Sequence, residues 1–181
     1  GDASAGARHL NKHIDYTALA GSPGFDDTAA ARSLATPLDM VLHHDTGSGN
    51  TTLYVAAFGS SKIGIFDTSA LENDTFVPSE EQQIGVGGAG PAGLAISADG
   101  SRLYVYTRAD NGISVVDTTT RSEIHHIALP NPEPASVILG RPFLYDAVAT
   151  SANGEASCAS CHIFGDMDHL AWDLGNPDDS V

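Results

Sequence analysis

The residues most able to do chemistry lie near the end of the chain: Cys158-Ala159-Ser160-Cys161-His162. Both cysteines of the protein are in this string. Two thiols three positions apart sit on about one helical turn, so each can add to one vinyl group of a single porphyrin. The next residue, His162, then faces the iron from the proximal side. C-x-x-C-H is accordingly the attachment signature of a c-type haem. The motif predicts one haem c held by Cys158 and Cys161, with His162 as the proximal iron ligand. Three other chemistries use paired thiols. A redox dithiol wants a βαβ setting. A zinc site wants further Cys or a spaced His pair, and there is no further Cys. A local disulfide needs neither.

The other half of such a site is harder to assign. Met167 is a weak distal candidate, because a residue five positions past the proximal His would have to travel round the porphyrin. Its alternative role is to fill a gap against the haem or the core. His9, His13, His43, His44, His125 and His126 are further candidates. Neighbours on a strand face opposite sides, so at most one of each His-His pair points inward. A five-coordinate iron favours peroxide or small-ligand chemistry, and a six-coordinate iron favours electron transfer. Asp166, Asp168 and Asp173 lack the EF-hand spacing and read as turn and cap residues rather than a calcium site. Trp172 is expected to pack beside the haem or the sheets. Gly85-Val86-Gly87-Gly88-Ala89-Gly90 fits G-x-G-x-x-G, but Pro91 and a strand pattern follow where a dinucleotide site needs a helix. It reads as a turn between repeats.

The chain that positions these residues has 181 of them, 41% hydrophobic and 17% charged, enough for a globular core. Its formal net charge is −15. That argues against nucleic acid, which needs a basic footprint, and against an anionic membrane surface; it reads as a device for solubility. No apolar run is long enough for a transmembrane helix. The start is small and polar, without a secretory signal. Haem c is attached outside the cytoplasm, so the haem reading requires a signal already removed or a longer parent chain. A periplasmic or extracellular bacterial location is expected.

Residues 1–36 read as a surface-running lead-in with one short helix over Asp26–Leu34, capped at Asp27 or Thr28. From Pro37 the pattern becomes short strands rich in β-branched and aromatic residues, bounded by Gly, Asn, Asp or Ser. The inner strands repeat at an interval of 50: Leu53-Tyr54-Val55 matches Leu103-Tyr104-Val105, and Ile65-Phe66-Asp67-Thr68 matches Val115-Val116-Asp117-Thr118. Each Asp-Thr pair closes a strand and can cap the next turn. Four strands per unit at this period predict propeller-type blades.

The stretch SADGSRLYV…NGISVVDTTT resembles the YVTN-type β-propeller repeat, with LYV at the repeat's core. The resemblance covers about 37–129. It implies a mainly β fold: two four-stranded blades of an incomplete propeller, then a short, partly helical cytochrome c-like segment. A closed propeller needs at least four blades. Either further blades complete it or copies of the chain pair edge to edge. Residues 130–181 read as a connector and the start of the haem segment, with Pro130, Pro132, Pro134 and Pro142 expected to stop any helix before 145. The tail, Gly140 to Pro177, carries a second resemblance: its stretch up to His162 is similar to the segment leading into the haem of the di-haem cytochrome c peroxidase and MauG-like group. There an L-F-Y-D-like string precedes C-x-x-C-H; here it stands as Phe143-Leu144-Tyr145-Asp146. Together the resemblances imply an exported, haem c-bearing propeller protein in electron transfer, or within a peroxidase-like oxidoreductase, with an unidentified redox partner. The alternative is a surface-layer-type binding or scaffold propeller in which Cys158 and Cys161 form a thiol pair or disulfide. Haem would also be missing from protein made without the maturation machinery.

Overall fold

A computed structural model describes residues 6–170. Strands β1 (Pro37–His44), β2 (Thr51–Ala57), β3 (Lys62–Asp67) and β4 (Gln83–Gly85) form one antiparallel sheet in chain order. Strands β5 (Pro91–Ile96), β6 (Arg102–Thr107), β7 (Gly112–Asp117) and β8 (Ser122–Ala128) form a second. These are two propeller-type blades. The interval of 50 survives in the ladders, where Tyr54 opposes Ile65 and Tyr104 opposes Val115. The Asp-Thr pairs act as the sequence predicts. Asp67 takes the Ala70 N–H (2.8 Å) to cap helix α2, Thr68–Glu72, and Asp117 takes the N–H groups of Thr119 and Thr120. The glycine-rich 85–90 stretch is the turn between the blades.

Side chains alternate across each sheet, which gives each blade two faces. In the first blade Tyr54, Ala56, Ile63 and Ile65 lie on what we term the front face, and Leu53, Val55, Ala57 and Phe66 on the back. The front of blade 1 packs on the back of blade 2, where Leu103, Val105 and Val116 are fully buried. Each such side chain removed from water contributes about 1.5–3 kcal/mol.

The lead-in does more than run over the surface. Leu10 and Leu34 pack with Val55, Ala57, Phe66 and Phe76 and cover the β2–β3 part of the back of blade 1, while Met40 and Leu42 of β1 on the same face stay exposed. Cations pin it there. The Arg8 guanidinium donates to the Leu71 and Glu72 carbonyls, and Lys12 pairs with Asp74 and sits 4.2 Å over the Phe76 ring. Lys62 donates to the Ala31 carbonyl. The helix expected over Asp26–Leu34 shortens to α1, Ala29–Arg32. Asp26 draws the Thr28 N–H and hydroxyl into a turn, and Leu34 is committed to the sheet, so the helix stops after one turn.

The expected helix-free connector is corrected. Helix α3 spans Ala135–Tyr145, followed by α4, Ala147–Thr150. Pro132 precedes α3 and Pro134 is its N-cap, where no N–H is needed. Only Pro142 lies inside, and it removes one bond of the ladder. Among the described residues no helix is long and apolar enough to cross a membrane.

Candidate functional site

Three links fix the approach to the cysteine motif. Tyr145 packs edge-on against Phe58 of blade 1, at 5.6 Å between ring centroids. Asp146 takes the Ala149 N–H (3.0 Å) and so divides α3 from α4. Arg141 donates to the Ala109 carbonyl of blade 2 (2.6 Å) and pairs with Glu133, whose carboxyl it holds below the ordinary value. The Phe143-Leu144-Tyr145-Asp146 string is thus an anchor between helix and sheets.

The lead-in supplies the other side. Ser33 donates to the Asn153 carbonyl (2.5 Å), and Gly154 lies against Ala30 so closely that an added Cβ would come within 2.7 Å of the Ala30 Cα. Its φ of +68° also favours glycine. Tyr16 donates its hydroxyl to Glu155; burial, reinforced by that carboxylate, pushes the phenol up to about 12.

Cys158–Ser160 forms a 3₁₀ turn. The Cys158 carbonyl accepts the N–H groups of Cys161 (3.2 Å) and His162 (2.9 Å), so one turn carries both cysteines and the histidine. Both thiols are free and exposed. The His162 Nδ1 lies 3.0 Å from the Asp166 carbonyl oxygen. A carbonyl only accepts, so the neutral ring carries its proton on Nδ1 and leaves the Nε2 lone pair for another partner. Ile163, next to His162, is exposed, as are Leu139 and Phe143 of α3. Leu139 and Phe143 share one face of α3, a turn apart.

Behind the turn lies a cavity of about 470 Å³ between the blade loops and the helices, lined among others by Phe58, Arg108, Tyr145, Ala159 and Ile163. Cys158, Cys161 and His162 are not part of its lining. The motif therefore presents its three reactive groups outward, while Ala159 and Ser160 face the cavity.

Met167 is 70% exposed and fills no gap in the core. Asp166 and Asp168 take the N–H groups of Met167 and Leu170, the turn roles expected of them. Trp172 and Asp173 lie outside the described residues. Among the described residues no three His, Cys, Asp or Glu side chains gather as a metal site. His9 bonds Tyr16, and His13 bonds the Ala29 carbonyl and Ser33, its pKa lowered by burial. His43 lies against Gly100, and His44 bonds Thr51.

One grouping has no signature in the sequence. His126 lies between Asp110 (Nε2–Oδ2 2.6 Å) and Ser114 (Nδ1–Oγ 3.1 Å), and Thr107 donates to the same Asp110 carboxylate (2.7 Å). It has the members of a catalytic triad, but Ser114 is fully buried and offers no nucleophile to a substrate. Its task is structural. Beside it, Glu123 accepts the Gly87 N–H (2.6 Å), which ties the turn between the blades to β8. Only the register of β7 and β8, which sets Ser114 opposite His126, could have revealed it.

No family model matches the chain, and no curated protein does. Among solved structures, the chain is similar to hydrazine synthase from Kuenenia stuttgartiensis, at 23% identity and a TM-score of 0.44, over 54% of this chain and 24% of that one.

Proposed function

We propose that residues 158–162 carry a covalently attached haem c and that the chain is the haem-bearing part of an exported propeller protein acting in electron transfer. One observation carries the reading: a single turn offers two free, exposed thiols together with a histidine whose Nδ1–H is engaged by a backbone carbonyl. Histidines that ligate metals commonly donate their other ring N–H in this way, which fixes the tautomer and raises the basicity of the ligating nitrogen. Cys158 and Cys161 would each add S–H across one vinyl group, forming two thioethers without an oxidant. His162 Nε2 would take the iron. When bound, the haem supplies a one-electron carrier. Ile163, the exposed neighbour of His162, would cover part of it. The anchors at Tyr145, Arg141 and Ser33 hold the turn in a fixed place on the blades.

The free thiols also favour a second reading, a dithiol that closes to a disulfide. One experiment separates the two. The chain is exported to a periplasm together with haem-maturation machinery, then examined by pyridine haemochrome spectrum and intact mass. A Soret band and one haem mass increment are expected, both lost in the Cys158→Ser/Cys161→Ser variant. Protein without either signal refutes the haem reading; a mass two hydrogens below the dithiol supports the disulfide.

A further inference from the structure

The cavity of about 470 Å³ between the blade loops and the helices is separate from the three reactive groups, since Cys158, Cys161 and His162 do not line it. It is large enough for a small organic molecule. Leu38, Phe58, Tyr145 and Ile163 give it apolar and aromatic walls. Its backbone is strained. Thr36, Ser61 and Ala89 also line it, and all three lie in the left-handed region, at φ of 51°, 53° and 56°. Of the seven described non-glycine residues with positive φ, three therefore meet at this one cavity. For a β-branched residue such as Thr36 that conformation is costly. Strain of this kind persists where the surrounding structure imposes it, and it gathers at ligand-binding sites.

The walls also carry a cation without a partner. Arg141 is engaged by Glu133 and by the Ala109 carbonyl. Asp146 accepts the Ala149 N–H and lies in the field of Lys62. The Arg108 guanidinium, by contrast, makes no hydrogen bond or ion pair among the described residues. Its charge reaches Glu133, which Arg141 already holds. The Tyr145 hydroxyl likewise bonds no described residue. We propose that this cavity binds an aromatic monocarboxylate, its ring among Phe58, Tyr145 and Ile163 and its carboxylate on Arg108. One unpaired guanidinium suits one carboxylate, which it can take in a bidentate pair. A neutral aromatic would leave Arg108 as it is, and a small inorganic anion would leave the apolar walls wet. The proposal does not rest on haem.

The test titrates 2-naphthoate into the full chain by calorimetry, before and after haem loading, with 2-naphthamide as the neutral isostere. Binding at a single site is expected, with the amide weaker by about tenfold or more. Arg108→Gln, at an exposed position, should weaken naphthoate by about the same factor and leave the amide unchanged. Ala159→Trp, which fills the cavity, should remove both. Equal affinities for the two probes overturn the proposal, as does an Arg108→Gln variant that binds naphthoate like the parent. Binding that survives Ala159→Trp at parental circular dichroism also overturns it, because the probe then sits elsewhere. Should Ala159→Trp not fold, the Arg108→Gln comparison decides alone. Loss of binding once haem is attached would assign the cavity to the haem and overturn the proposal. A chain that takes up no haem defeats the haem reading and leaves this titration standing.

Discussion

Gly88→Ala should destabilise the protein by about 1–5 kcal/mol, against the usual sign of that change. Gly88 sits in the turn between the blades. A Cβ placed there lies 2.3 Å from Thr107 Oγ1, 2.4 Å from Asp110 Oδ1 and 2.6 Å from His126 Cε1. Real Cβ atoms essentially never come within 3.0 Å of such neighbours. All three groups must therefore retreat at once, and they are the members of one hydrogen-bonded chain. Thr107 and Ser114 are fully buried, so neither can turn to water. Leaving a buried polar group unpaired costs about 1–3 kcal/mol, and two such losses set the expected size. Working the other way, Gly→Ala at an ordinary φ stabilises by about 0.4–1 kcal/mol through the unfolded chain, and Gly88 is not among the positive-φ glycines. The assay is urea unfolding followed by circular dichroism, with the midpoint falling at an unchanged slope. A variant as stable as the parent, or more so, would refute the idea that this polar cluster locks the turn.

Four further outcomes are expected. Leu103→Ala, at a fully buried site between the blades, should lose about 2–5 kcal/mol in the same assay. Arg141→Ala removes the bond to the Ala109 carbonyl and the Glu133 pair; amide exchange in 135–145 should quicken while the urea midpoint of the blades stays put, and an equal fall in both would count against separate anchoring. The Asp99 carboxyl is held down to about 2 by the Ser97 hydroxyl and by the Ser101 N–H and hydroxyl. Its carbon-13 titration should centre there, and the stability it lends should be present above the ordinary value of 3.8 and vanish as pH falls through about 2. His13 is depressed by burial, so the unfolded chain takes up its proton first and stability should fall as pH drops below 6.5. His13→Gln should flatten that fall, and an identical pH profile would exclude His13 as its source.

The sheets were legible because their signals are local and doubled. Strand alternation, Asp-Thr turn closers and an interval of 50 each predict the same boundaries, and Tyr54 and Tyr104 hold equivalent ladder positions. The motif at 158–162 was legible because its chemistry needs only neighbours in sequence. Helix α3 is hidden in a proline-rich stretch because position, not number, decides what proline does: Pro132 and Pro134 lie before its first turn, where a missing N–H costs nothing. The cover over blade 1 could not be read at all. Leu10 and Leu34 show no period, and their value appears only once Val55 and Phe66 are on the same face. The Ser114-His126-Asp110 cluster likewise depends on register across two hairpins.

The lead-in is held by cations on a chain whose formal net charge is −15. Dissolved salt therefore acts on the two layers in opposite senses. It screens the contacts of Arg8 and Lys12, which are near the surface, and so loosens the cover. It also relieves the mutual repulsion of the carboxylates, and so steadies the blades. Ionic strength becomes a handle on the cover alone: amide exchange over 6–36 should speed up between dilute buffer and molar salt while the strands exchange no faster. The back of blade 1 would then be laid bare at Val55 and Phe66 as it already is at Met40 and Leu42, and salt alone would widen the chain's apolar surface without any change in its fold.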